Sequence, residues 1–217
     1  MVKSFLIIAV MVLTTLGCTK GESGGIPEDS LPIILTMTSN PVLAADNSDP
    51  TNPNLWVMTV NQVVQIHATD PTTGMLVDNK VTWSIGPLKS TLDPLGNIDQ
   101  SGKFTAPATP SWVGVSGRAD SQNPRLDGSH GIEIVAAPLL TSFTSSSLTI
   151  TSGQSVSLTP VFSDGQGQIL VGTQVVQASL TSGTPVTESP TATTTYTLVV
   201  TNLAGASVRQ DLKTTVQ

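Results

Sequence analysis

Two stretches decide the reading of this chain: Asn61–Asp70, "NQVVQIHATD", and Gly153–Gly165, "GQSVSLTPVFSDG". Each places Gln second, Val fourth, and Ile or Leu sixth. Gln62 and Gln154 stand 92 residues apart. In the first copy Val64, Ile66 and Ala68 alternate toward one face. In the second, Val156 and Leu158 do so, with Val161 as the expected third member and Pro160 marking an edge or bulge. Period-two alternation is the signature of a half-buried strand. A recurrence at that spacing predicts two similar units in tandem.

Working outward, each copy continues as short β-rich segments separated by turn residues. After "PTTG" come "KVTWSI" (Lys80–Ile85), "GNIDQSGKFTAP" (Gly96–Pro107), "WVGVSGRA" (Trp112–Ala119) and "GIEIVAA" (Gly131–Ala137). The second copy continues with "QVVQASL" (Gln174–Leu180), "TPVTES" (Thr184–Ser189), "TTTYTLVVTN" (Thr193–Asn202) and "ASVRQDLKTTV" (Ala206–Val216). "DGSHG" at Asp127 and "NLAG" at Asn202 read as hairpin turns. Strands at this spacing, joined by Gly, Pro, Asp and Asn, predict an all-β fold of two tandem immunoglobulin-like β-sandwiches. The expected boundary lies near Pro138, giving units 31–137 and 138–217. Ser and Thr form about a quarter of the chain, and no helical periodicity extends beyond about two turns after the N-terminal segment.

Two aromatic residues are assigned to the cores. Trp83 sits mid-strand with Val81 and Ile85 on its face. Tyr196 opens a late strand, where its ring would be buried and its hydroxyl bonded to a backbone group. With one cysteine in the chain, no internal disulfide supports either core.

The segments "VTWSI…GNIDQSGKFTAP" and "ITSGQSVSLTPVFS…SGTPVTESPTATTTYTLVVTNLAG" resemble bacterial Ig-like domains. In that family a strand with a central Trp precedes an Asp-x-x-Gly turn and an "FTAP"-type strand. The resemblance implies the sandwich fold from about Leu31 to Gln217. It implies little about activity, because such modules serve as spacers, adhesive units and binding domains alike.

The N-terminal segment is a targeting signal by its pattern. Lys3 supplies the positive charge, and "FLIIAVMVLTTL" (Phe5–Leu16) is an apolar run too short to span a bilayer, which needs about 20 residues. Small residues and Cys18 follow it, not stop-transfer charges. "TTLGC" resembles the lipobox of bacterial lipoproteins, with Thr15 where that family prefers Leu. The resemblance implies cleavage after Gly17 (signal peptide 1–17) and lipidation of Cys18 by diacylglycerol and palmitate-type acyl chains. Each buried CH2 contributes about 0.8 kcal/mol of membrane binding, so two or three chains anchor firmly. Residues 18–30 then form a Gly- and Ser-rich tether. Thr19, not Asp, after the cysteine points to the outer membrane or cell surface under the sorting rule of some two-membrane bacteria.

No catalytic residues, metal site or cofactor are expected. "GESGG" at Ser23 matches G-x-S-x-G but lies in the tether, not between a strand and a helix. Among the histidines, His67 is expected to be half-exposed and His130 to sit in a turn beside Asp127. Asp46, Asn47, Asp49, Asn52 and Asn54 supply oxygen donors suited to Ca2+, or simply a solvated loop. Trp56 and Trp112 are candidate ligand contacts: facing solvent and converging on one patch, they would make a sugar-stacking platform. The formal net charge of −6 and the lack of a basic patch argue against nucleic acid as a partner. The expected role is a non-enzymatic, lipid-anchored envelope protein with a structural, adhesive or protein-interaction role. The expected partners are the membrane through Cys18 and an envelope protein or polysaccharide. The alternative is a carbohydrate- or ligand-binding accessory module.

Overall fold

A computed structural model describes residues 30–38, 42–44, 55–119 and 125–217. The expected signal segment, Cys18, the tether and the Asp46–Asn54 loop lie outside the described residues. Described secondary structure consists of β-strands and one short 3-10 turn, arranged as two tandem β-sandwiches.

The first sandwich uses β1 (Ser30–Pro32) to β10 (Arg125–Val135). One sheet runs β3 (Val42–Ala44), β4 (Leu55–Thr59), β10, β9 (Ser111–Ala119), β6 (Thr82–Pro87), with β1 also pairing β10. The facing sheet runs β2 (Ile34–Met37), β5 (Val63–Thr69), β8 (Lys103–Thr105), β7 (Asn97–Ile98). Inward positions alternate, as the sequence pattern requires. Val64, Ile66 and Ala68 of β5 meet Val113 and Val115 of β9, Ile132 and Ile134 of β10, and Trp83 of β6 in one buried cluster.

The second sandwich pairs β11 (Leu139–Ser145), β13 (Val156–Ser163) and β16 (Val186–Glu188) against a larger sheet. That sheet runs β12 (Thr149–Ile150), β18 (Ser207–Val216), β17 (Thr194–Thr201), β14 (Gln166–Val171), β15 (Gln174–Leu180). Its core holds Phe143, Val156, Leu158, Ile169, Tyr196, Leu198 and Val200. The two hydrophobic clusters share no residue, and Ala136–Pro138 lies between the last strand of one and the first of the other.

The repeated stretch has a structural meaning that the strand pattern alone does not show. Thr59 to Gln62 and Thr151 to Gln154 form the same turn, 92 residues apart. In each, the N–H of Gln donates to the Thr carbonyl and the Gln Oε1 accepts from the Thr N–H, at 3.0 Å in the first copy and 3.3 Å in the second. The residue before each Gln is left-handed: Asn61 at φ 61° and Gly153 at φ 77°. The recurring Gln is thus a turn clasp that launches each inward-alternating strand.

Two local expectations are corrected. In β13 the third inward residue is Pro160, which is buried, while Val161 is half-exposed. Pro160 lies opposite Phe143, next to a bulge in β11 between Leu140 and Ser142. The alternation of β13 thus continues unbroken through Pro160, and the Gly183 N–H closes on the Pro160 carbonyl at 2.7 Å. "DGSHG" is not a turn but the middle of β10, paired residue by residue with β9. Its glycines serve close packing. A Cβ at Gly128 would lie 2.7 Å from the Ile33 carbonyl oxygen, and one at Gly131 would strike Leu55. "NLAG" does form the β17–β18 turn, closed by Gly205 N–H on the Asn202 carbonyl at 3.0 Å.

Candidate functional site

Pairing register decides what the tryptophans can do. Trp56 stands opposite Ile132, and Ile132 opposite Val113, so all three face the core. Trp112 stands opposite Glu133, one residue on, and faces outward. The two rings therefore lie on opposite faces of one sheet and do not converge. Trp56 is 5% exposed. Trp112 is half-exposed, and Lys89 Nζ lies 3.1 Å from its ring centroid. An ammonium over the ring is a cation–π contact and occupies the surface a sugar would need. The converging, solvent-facing arrangement of Trp56 and Trp112 that would favour the carbohydrate-binding alternative is not formed.

The histidines are committed to structure. His67 is half-buried on β5, and its Nδ1 is 2.6 Å from Asp78 Oδ2. Asp78 Oδ1 also accepts from the Ala68 N–H at 2.6 Å, so the carboxylate staples the 3-10 turn Asp78–Lys80 to β5. His130 points inward from β10. Its ring lies 4.0 Å from that of Trp56, tilted by 32°. Burial pushes its pKa down to about 4, because charging an imidazole away from water is costly. Among the described residues its Nε2 is buried without a hydrogen-bond partner, so the half-buried ring packs at the edge of the core in its neutral form.

Trp83 is 3% exposed, packed against Gly102 and Gly117, with a buried Nε1 that lacks a partner among the described residues. Tyr196 is 2% exposed, within the second core. Its hydroxyl makes no backbone hydrogen bond among the described residues, so the expected corner bond is absent. Burial first, and Glu188 second, raise its pKa.

The carboxylates of Asp70 and Asp99 lie in turns. Asp70 accepts from Thr72 N–H at 2.8 Å, and Asp99 accepts from the backbone of Ser101 and Lys103. These bonds favour the ionised form and lower both pKa values, led by the Thr72 backbone bond at Asp70 and the Ser101 side-chain bond at Asp99. Asp99 and Gly102 (φ 84°) are the Asp-x-x-Gly turn of the family resemblance. Among the described residues no group of three or more His, Cys, Asp or Glu is placed to hold a metal.

A cleft of about 670 Å3 opens beside the connector, lined by Ala136, Asp164, Gln166, Ser179, Asn202 and Leu203 among others. It offers one carboxylate with amides and hydroxyls, and no aromatic ring. Asp164 and Ser179 are left-handed at φ 56° and 53°. Sequence reading missed this junction because its residues come from four separate segments.

No protein-family model matches the sequence, and no curated protein matches it. Solved structures do. The extracellular domains 3–5 of Drosophila OTK are 12% identical, with TM-score 0.47, over 75% of this chain and 59% of that one. The fibronectin(III)-like modules of Clostridium thermocellum CbhA are 13% identical, with TM-score 0.47, over 85% of this chain and 94% of that one. A C-terminal fragment of intimin, in complex with the intimin-binding domain of the translocated intimin receptor, is 16% identical with TM-score 0.46. The match covers 84% of this chain and 64% of the fragment. At these scores the fold assignment stands on the strand order and register above.

Proposed function

We propose that the chain is a non-enzymatic, lipid-anchored cell-envelope protein whose two Ig-like sandwiches serve a structural or protein-interaction role. The observation that carries the non-enzymatic part is the state of the histidines: His67 is tied to Asp78 in a backbone staple, and His130 is a half-buried ring packed on Trp56. General acid–base chemistry needs a titratable group held within reach of a bound substrate, and neither histidine lines the cleft beside the connector. Both sandwich interiors are filled by side chains. The anchoring part rests on the "TTLGC" sequence. Loss of Lys3 with the signal segment would take the net charge from −6 to −7, a mildly acidic display surface. The outer membrane or cell surface is the proposed location, from Thr19.

Cys18→Ser tests the anchor. The parent is expected to be cleaved and to incorporate radiolabelled palmitate, and the variant to accumulate as an unlabelled precursor. Cleavage and labelling of the variant like the parent would remove the lipoprotein reading. A reproducible hydrolase turnover abolished by His67→Ala or His130→Ala would remove the non-enzymatic one.

A further inference from the structure

We propose that Asn202 is a latch that fixes the angle between the two sandwiches. Asn202 begins the β17–β18 turn and is 7% exposed. Its Nδ2 donates to the Ala136 carbonyl in the connector at 2.8 Å and to Thr59 Oγ1, at the end of β4, at 3.1 Å. Its Oδ1 accepts from the Ala206 N–H at 2.9 Å, within its own hairpin. The amide therefore faces two ways. Its acceptor holds the second sandwich's turn, and both its donors reach across the junction.

The receiving side is itself fixed. Thr59 is the first residue of the repeated turn, and its N–H is held by Gln62 Oε1 at 3.0 Å. The Val60 N–H donates to the Val135 carbonyl at 2.9 Å, which ties that turn to the end of β10. Tandem modules on a short connector move relative to one another by default unless a large apolar interface joins them. Here the two hydrophobic clusters share no residue. One planar amide can satisfy both acceptors together only at a single inter-module angle, because hydrogen bonds weaken steeply away from linearity. The same hairpin lines the cleft beside the connector, so the latch also sets the cleft's width. The inference stands on this geometry, independent of whether Cys18 carries lipid.

The test measures the distance between paired spin labels in the full chain in detergent micelles. The labels enter as non-cysteine unnatural residues at the exposed positions Thr73 and Lys213, leaving Cys18 untouched. The parent is expected to give one narrow distance peak. Asn202→Asp keeps the oxygen that holds Ala206 but loses both donors and sets a carboxylate against the Ala136 carbonyl. It should lose the narrow peak for a broad distribution, with the Ala206 amide still protected from hydrogen exchange. Thr59→Val removes one acceptor from the other side and should broaden the peak less. A broad distribution in the parent, or parent-like narrow peaks in both variants, overturns the latch. If Asn202→Asp fails to fold, Thr59→Val decides alone.

Discussion

Trp83 lies between two glycines because nothing larger fits. A Cβ at Gly102 would come within 3.2 Å of the indole and 2.4 Å of the Ile66 carbonyl oxygen, and one at Gly117 within 3.3 Å of the ring. Truncating so large a buried side chain costs roughly 3–5 kcal/mol, a large share of a domain's ~5–15 kcal/mol. Trp83→Ala should therefore unfold the first sandwich or nearly so and leave the second intact. The probes separate naturally, since all three tryptophans precede Pro138 and the single tyrosine, Tyr196, follows it. A loss below about 1 kcal/mol in tryptophan-detected urea unfolding would show that Trp83 does not carry the core. His130 adds a pH dependence. Its pKa is about 4 when folded, against 6.5 for the free side chain. The unfolded chain thus binds the proton first, and stability present above pH 6.5 is lost as pH falls toward 4. Linkage puts that loss at up to about 3 kcal/mol. His130→Phe should flatten the slope of first-sandwich stability between those pH values; an unchanged slope would assign it to other groups. The buried Trp83 was legible from its mid-strand place beside Val81 and Ile85. The burial of His130 was not, because "DGSHG" carries the composition of a turn while its glycines answer to Ile33, Leu55 and Leu88 across the sheet.

At the scale of elements, the two Gln-clasped turns are the same device in different surroundings. Gln62 is partly buried and its Oε1 sits 3.0 Å from the Thr59 N–H, whereas Gln154 is exposed and its bond is longer, at 3.3 Å. A net hydrogen bond contributes about 0.5–1.5 kcal/mol, more when its loss strands a buried partner. Gln62→Ala should cost about 1 kcal/mol in tryptophan-detected unfolding, and Gln154→Ala less in the tyrosine-detected transition. The reverse order would mean that burial does not set the worth of the clasp. Sequence alternation located β5 and the start of β13 because their inward residues Val64, Ile66, Val156 and Leu158 are branched and apolar. It missed β14, whose "QGQILV" begins with polar and glycine residues. Gly167 faces inward there because the Phe162 ring fills the space, 2.7 Å from where its Cβ would lie. Periodicity records side-chain size along one strand. It cannot register a gap filled from another.

For the molecule as a whole, the 92-residue repeat made the tandem plan legible, and the junction stayed hidden for a related reason. Asn202 and Thr59 are 143 positions apart, and "NLAG" reads equally well as an ordinary turn. What the plan implies for folding can be measured directly. The second core closes on its own, from Phe143 on β11 to Leu198 and Val200 on β17, with Val208, Leu212 and Val216 of β18 packed against it. Eighty residues are enough for an independent sandwich if the apolar burial is complete, though with little to spare and no disulfide to help. Removing the first sandwich exposes Asn202 to water, which replaces Thr59 and the Ala136 carbonyl as partners, so the hairpin keeps its Ala206 bond. A fragment from Pro138 to Gln217 should therefore give dispersed amide resonances and one cooperative thermal transition, followed through Tyr196. Its midpoint should lie at or slightly below that of the same transition in the full chain. A fragment without β circular dichroism or a cooperative melt would make the chain one merged folding unit, with the second core dependent on the first.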